Sequence, residues 1–407
     1  MKKLTLSLII AISCFCTVMA TSTLTVTVSN PMKAPRTDVP VVISLKNYGD
    51  VRSALVQRGQ EEIPCQLDDL DQDETFDELC FLVNIGKHEK QTYTVTLSDS
   101  GEPRQYAARV YAEMVMGNKK VKEKNRQDNF IEAITARGDC AYSYNLQHHH
   151  GVDFESELNG IRIYFDARQT LDLYGKFQKR LELQATQFYT DDAQKAQGYG
   201  DDVLWVGQTF GLGAFRGWNG SEPTLIEPVR SRTQRIISYG PLRTIVEVVD
   251  RGWKADTALP AVNMTLRYTQ YAGHRDTDVD VIFNRDVTGY RFSTGIINVK
   301  GSEEFSDCKG LRACWGTDYP ATDTVKWKRE TVGLAVLVPS ANIASEEPAN
   351  KDNYAYVLKV NGSQMSYKVS YCSANETFGY HTAKEWFDYL KAWRREAEQP
   401  LAVKITE

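Results

Sequence analysis

Val262-Asn-Met-Thr-Leu-Arg-Tyr268, followed closely by Val279-Asp-Val-Ile-Phe283, alternates apolar and polar side chains with a period of two. Successive side chains of an extended strand point to opposite faces, so this pattern buries one face and leaves the other polar. The same reading covers Thr23–Val28, Val39–Ser44, Thr92–Leu97, Ile161–Phe165, Arg243–Val249, Gly333–Val338 and Tyr354–Val360. Turn-forming sequences separate the runs, among them Asn47-Tyr-Gly-Asp50, Tyr239-Gly-Pro241 and Val360-Asn-Gly362. Many strands with few helical periodicities predict an all-β sandwich rather than a parallel α/β fold.

One helix is well marked. Thr382-Ala-Lys-Glu385 is a capping box, and Trp386, Leu390 and Trp393 then share one helical face. These tryptophans read as packing groups. A second short helix is expected within residues 190–197, before Gly198-Tyr-Gly-Asp-Asp202. Residues 21–100 read as a small β-domain, with Ser98-Asp-Ser-Gly-Glu-Pro103 as its linker, and residues 101–407 as one large β-domain.

Residues 1–20 read as an export signal. Lys2 and Lys3 precede an apolar run from Leu4 to Val18, and Val18-Met-Ala20 supplies a small-residue cleavage site. The mature chain is then periplasmic or secreted. A lipid-modified Cys14 or Cys16 is the alternative, which Ala11-Ile12-Ser13 fits poorly. No later run approaches the ~20 apolar residues of a membrane span, so no membrane insertion is expected.

The formal net charge is -5 and no basic tract occurs, which argues against nucleic acid as a partner. Tyr (21) and Trp (7) are plentiful enough either to stack on sugar rings or to fill a sandwich core. Beyond the leader, Cys65 with Cys80 and Cys308 with Cys314 either pair or stay free; without a CxxC, a cysteine zinc site is not expected.

The densest chemistry lies at His148-His149-His150-Gly-Val-Asp-Phe-Glu155-Ser-Glu157, which holds half of the six histidines. Arg162, Tyr164, Asp166, Asp172, Tyr174 and Lys176 follow. Imidazole, carboxylate, phenol and ammonium can all be tuned to move protons near neutral pH. On a strand, His148 and His150 share a face with His149 opposite, so the pair could bind a metal with Glu155 or Glu157, transfer protons, or simply pack. Glu155 and Glu157 would share a face, as would Arg162 and Tyr164. His274, in Tyr271-Ala-Gly-His-Arg275-Asp276, is a further candidate, against a salt-bridged turn.

Asp69-Leu-Asp71-Gln-Asp73-Glu-Thr-Phe-Asp77 spaces carboxylates as a calcium loop does, yet Glu74 stands where the loop needs Gly. It reads either as a structural calcium site or as a solvated acidic hairpin; no other cofactor is indicated. The glycine-rich stretch around Asp201, Asp202, Trp205 and Trp218 could line a sugar cleft with Arg275, or it could mark bulges.

The run from His148 to Lys176, with Gly200-Asp-Asp-Val-Leu, Tyr239-Gly-Pro and Tyr271-Ala-Gly-His-Arg, resembles a family of exported Bacteroidota proteins. That family is catalogued as an uncharacterised domain found in glycan-utilisation clusters, often for pectin and other uronates. The resemblance implies a large β-supersandwich, galactose-mutarotase-like, behind a small N-terminal immunoglobulin-like β-domain. It implies no catalytic residues.

These readings lead to an exported carbohydrate-active enzyme on uronic-acid-containing oligo- or polysaccharides, a lyase ahead of a hydrolase. β-Elimination needs a base, a group that neutralises the carboxylate, and an acid for the leaving oxygen. His149 or His150, Arg162 or Lys176, and Tyr164 or Tyr174 are the candidates. The alternatives are a mutarotase- or epimerase-like enzyme, with the histidines and Glu157 as acid and base, and a non-catalytic glycan-binding protein.

Overall fold

The computed structural model describes residues 21–142 and 144–407. The leader and the lipoprotein alternative lie outside the described residues. The chain is mostly antiparallel β-sheet, and every run read as a strand from its alternation is one.

A nine-stranded sheet forms one layer of the large unit. Its middle is the ladder Ser231–Tyr239, Arg243–Trp253, Val262–Tyr271, Asp276–Phe283, Gln364–Ser373 and Glu330–Leu337. Two five-stranded sheets form the facing layer. The first contains Val110–Glu113, Gly151–Ser156, Gly160–Tyr164, Leu171–Gly175 and Asp201–Asp202. The second is centred on Phe292–Ile297 and Asn353–Leu358. Single bridges from Leu171 to Gly211 and from Leu212 to Ile296 stitch these two sheets together. One continuous core, including Val152, Phe154, Ile163, Val246, Leu266, Val281, Phe292 and Tyr356, fills the space between the layers. A two-layer supersandwich is the result.

The N-terminal unit is a smaller sandwich with its own core around Val26, Val41, Phe81 and Val95. The expected division near residue 100 is crossed by the chain end: Ala402–Thr406 pairs with Thr21–Ser29 in the N-terminal sheet. Its alternation is too short and too exposed to have stood out in the sequence. Polar groups dock the two units. Arg243 reaches Asp68 at 2.7 Å and Glu78 at 2.8 Å, and Gln66 accepts from the amides of Leu242 and Arg243.

The C-terminal helix spans Ala383–Glu398. Thr382 accepts from the Glu385 amide as expected, but the Glu385 carboxylate reaches back to the His381 amide, one residue earlier than in a capping box. Trp386, Leu390 and Trp393 are buried against the nine-stranded sheet. The second expected helix is the single turn Asp192–Ala196, capped by Asp191. Among the described residues all cysteines are free, so neither proposed bridge forms. None of their helices is long and apolar enough to cross a membrane.

Candidate functional site

The first five-stranded sheet has two unlike faces. Ala112, Val152, Phe154, Ile161, Ile163, Leu171 and Leu173 point into the core. The alternate positions form a polar face, and the strand register arranges them in rows. Glu113, Asp153, Arg162 and Asp172 align across four strands. The next row runs Tyr111, Glu155, Gly160, Tyr174 and Asp202. The polar face is therefore a direct product of period-two alternation and pairing register.

Arg162 is its centre. The guanidinium donates to Asp172 at 2.5 Å, to the Tyr164 hydroxyl at 3.0 Å and to Asp202 at 3.2 Å. It also stacks on Phe188, 4.3 Å from the ring centroid, and on Tyr164 at 5.0 Å. Its remaining terminal nitrogen, Nη1, is buried without a partner. The Tyr164 hydroxyl donates to Asp172 at 2.9 Å. Burial, reinforced by the Asp172 charge, raises the phenol above its ordinary range and keeps it protonated. Burial, then the Asp172 charge, also raises Asp202 well above the carboxylate range.

The three histidines lie in a turn rather than on a strand, and His150 adopts φ +70°. A left-handed β-carbon is costly, and such outliers gather at functional sites. His150 stacks on Tyr164, with rings 18° from parallel and 6.2 Å apart, and meets Tyr144 edge-on at 5.1 Å. His148 meets Tyr189 edge-on at 5.1 Å. Arg168 covers Tyr164 at 4.9 Å, and Lys124 covers Tyr189 at 4.9 Å. These half-buried rings, with the half-buried Arg168 and the exposed Lys124, form an aromatic, basic rim above Arg162. Burial, then the neighbouring imidazole His149, pushes His148 down to about 3. Burial, then the Arg162 charge, pushes His150 down to about 4.

His149 turns the other way. Its ring is fully buried, with Nε2 at 3.4 Å from Asp153 and 3.6 Å from Glu113. Burial, then the Glu113 and Glu155 charges, raises the Asp153 carboxyl well above its ordinary range.

The structure removes several candidates. Lys176 is wholly buried and gives its protons to Glu155, the Ser156 carbonyl and the Arg180 carbonyl. Glu155 also accepts from the Glu182 and Leu183 amides, which start the short helix Leu183–Thr186. The pair is a clamp that fastens residues 177–200 over the polar face. The Tyr174 hydroxyl is likewise engaged, on Thr190 and the Gly200 carbonyl. Glu157 leaves the strand and faces the N-terminal unit, where Arg109 binds it at 2.5 Å together with Asp38. It does not share a face with Glu155, because the strand ends at Ser156. The expected metal set of His148 and His150 with Glu155 or Glu157 therefore does not assemble.

His274 sits in the same inter-unit seam. It is 3.1 Å from Asp276 and 2.8 Å from the Asp38 carbonyl, the salt-bridged turn that its sequence allowed. Arg275 is buried on Glu376 at 2.7 Å. Both line a cleft of about 530 Å³ between the units, apart from the polar face.

The expected sugar-binding set also divides. Trp205 is 51% exposed at the mouth of a hollow of about 310 Å³, lined also by Lys300, Tyr319 and Asp352. Asp201 is held by Lys195 at 2.6 Å, Asp202 belongs to the Arg162 cluster, and Trp218 lies outside the hollow. Gly200 serves packing rather than a ligand: a β-carbon there would come within 1.8 Å of the Gly175 carbonyl. In the acidic loop Asp69, Asp71 and Asp77 come within 4.8 Å of one another, but Asp73 is not in that group and instead accepts from the Thr75 amide. Asp69 accepts the amides of Gln72 and Glu74 and Asp77 that of Leu70, as in a self-capped loop.

Sequence reading missed Glu113, Asp153, Tyr144 and Tyr189 as site residues. The alternation in Val110-Tyr-Ala-Glu113 carried the signal for Glu113, once paired with the strand of Asp153. Tyr144 and Tyr189 stand in irregular segments, where no periodicity marks them.

A family described as "Domain of unknown function (DUF4861)" matches residues 28–403. No curated protein matches the chain by sequence. Among solved structures, one similar chain is a protein in the glycosyl hydrolase family 38 from Enterococcus faecalis, with a TM-score of 0.46 and 9% identity. The similarity covers 95% of this chain and 47% of that one, so the chain spans about half the length of the structure it matches.

Proposed function

We propose that this chain, which belongs to the DUF4861 family, is an exported enzyme that cleaves uronic-acid-containing glycans by β-elimination at the rim above Arg162. One observation carries the reading. Arg162, with a spare buried donor, lies directly beneath a stacked imidazole and phenol, His150 and Tyr164. These are the three groups the reaction needs.

The Arg162 guanidinium and the rim cations would face the uronate carboxylate and stabilise the charge that spreads onto it. His150 would take the proton from the carbon α to that carboxylate. The bond from the β-carbon to the glycosidic oxygen then breaks, its electrons passing to that oxygen as a carbon–carbon double bond forms. Tyr164 would give the departing oxygen its proton. The imidazolium later returns its proton to solvent and the phenolate is reprotonated, so no water is consumed. Compared with the sequence alternatives, this selects Arg162 over Lys176, whose three protons are all taken by protein oxygens, and Tyr164 over Tyr174, because Tyr174 is wholly buried whereas Tyr164 is only half-buried at the rim.

The test is incubation of the purified protein with a panel of uronate glycans, following the ultraviolet absorbance of an unsaturated product. A rise, abolished in His150→Ala, is expected. New reducing ends without absorbance would make the enzyme a hydrolase. Neither signal across the panel removes the enzymatic reading. The exposed Trp205 above its hollow favours a second reading, glycan binding without cleavage. In that case Trp205→Ala abolishes affinity and His150→Ala leaves it intact.

A further inference from the structure

Beneath the rim, Glu113, His149 and Asp153 face one another in the interior, at 2%, 0% and 0% exposure. We propose that these three side chains hold one divalent transition-metal ion of the zinc class. Their nearest ligating atoms all lie within 4.8 Å of one another. The His149 Nε2 contacts, 3.4 Å to Asp153 and 3.6 Å to Glu113, lack hydrogen-bond geometry. Both ring nitrogens, both Asp153 oxygens and Glu113 Oε1 are left without partners. Buried polar atoms are almost always satisfied, so unpartnered atoms facing one another, one from each of the three residues, call for something between them.

The spacing fits a shared ion. Ligands ~2.0–2.2 Å from a tetrahedral centre stand roughly 3.3–3.6 Å apart from one another. Charge points the same way. Two facing carboxylates out of water either hold a proton or share a cation, and a metal ion takes the place of that proton. Arg162, the register partner of Asp153, is already shared between Asp172 and Asp202. One imidazole with two carboxylates suits zinc or manganese, whereas calcium and magnesium take oxygen ligands. The Tyr111 hydroxyl donates to the other Glu113 oxygen at 2.7 Å and so orients that carboxylate, as outer partners of metal ligands do. Such an ion would tie two strands to the histidine turn and fix His148 and His150 at the rim. This inference holds whether or not the rim cleaves a glycan.

The experiment is elemental analysis of the full chain, purified without metal-affinity steps, as isolated and after chelation and exposure to zinc. The expected result is about one zinc per chain, slow to leave because the ligands are buried, with a lower unfolding temperature after its removal. Asp153→Asn and His149→Gln should each bind none. Asp69→Asn, in the exposed acidic loop, should still bind one. A folded wild type that takes up no zinc, or shows no change in unfolding temperature on removing it, overturns the proposal. So does an Asp153→Asn protein that retains the full equivalent. If the interior variants fail to fold, the wild-type stoichiometry and its chelator-dependent stability decide.

Discussion

Lys176→Met separates a structural role from a catalytic one. Both Lys176 and its partner Glu155 are 0% exposed. The ammonium makes three bonds: to Glu155 at 2.5 Å and to the Ser156 and Arg180 carbonyls at 2.7 Å each. Methionine keeps the length of the stem and loses every donor. Glu155 is left with the Glu182 and Leu183 amides, and two carbonyls lose a charged partner. Removing one member of a buried ion pair costs about 3–5 kcal/mol. The loss has a definite pH sign. Burial raises the Glu155 carboxyl even with Lys176 beside it. Without Lys176 the carboxyl rises further, so the folded state holds a proton that the unfolded chain has released. Stability then falls as pH rises through that window. Denaturant unfolding should therefore show a smaller deficit for Lys176→Met at about pH 5 than at about pH 8. The double variant with Glu155→Gln, which buries no charge, should recover part of the deficit. A cost below ~1 kcal/mol that is equal at both pH values would refute the buried clamp. Undiminished stability with turnover abolished would instead restore Lys176 as the group that neutralises the substrate.

Tyr164→Phe keeps the ring that stacks on His150 and removes the proposed acid, so turnover of a uronate glycan should fall by about 10²–10⁴ with the fold intact; unchanged absorbance kinetics would exclude Tyr164. At His274, burial opposes the charge, but the hydrogen bond to Asp276 and its charge outweigh it and raise the imidazole pKa. That stability is full below the ordinary value of ~6.5 and is lost as pH rises through the folded-state value, so His274→Gln should be costlier at about pH 6 than at about pH 9. Equal thermal shifts at both pH values would show that His274 carries no charge at the seam. Gly333→Ala places a β-carbon 2.8 Å from the Trp386 ring, and should cost about 1–3 kcal/mol in calorimetry by lifting the C-terminal helix off the sheet; a neutral effect would mean that the helix is only loosely seated.

The fold was legible because period two survives in each strand taken alone: Val262–Tyr268 needs no neighbour to declare its buried face. The site was only partly legible, because it depends on register. Arg162 and Tyr164 could be placed on one face from their spacing, but that Asp172 and Asp153 flank Arg162 follows from pairings that single strands do not encode. Competition for partners is equally invisible. Lys176 looked as available as Arg162 until Glu155, Ser156 and Arg180 were seen to occupy it, and Tyr174 as accessible as Tyr164 until its ring was seen to be wholly buried. The histidine turn misled in its geometry, since a strand was expected where His150 takes a positive φ. It still sent His148 and His150 outward and His149 inward, as alternation would have.

Charge on the polar face links the two proposals. The strands contribute Glu113, Asp153, Glu155, Asp172 and Asp202, while Arg162 and Lys176 face them as cations. Lys176 neutralises Glu155, and Arg162 is divided between Asp172 and Asp202, whose raised carboxyl favours a proton. Glu113 and Asp153 are what is left. Burial and the Glu113 charge make Asp153 hold a proton when no cation is present, and any negative charge that stays in this low-dielectric interior would oppose a carboxylate arriving at the rim. A divalent ion between them cancels that field and lets Arg162, Arg168 and Lys124 present a net positive surface to an acidic sugar. The same ion holds in place the turn that carries His150. Rim and interior would in this sense be one electrostatic unit: the buried acids offer the metal its ligands, and the proposed metal would make the basic rim effective.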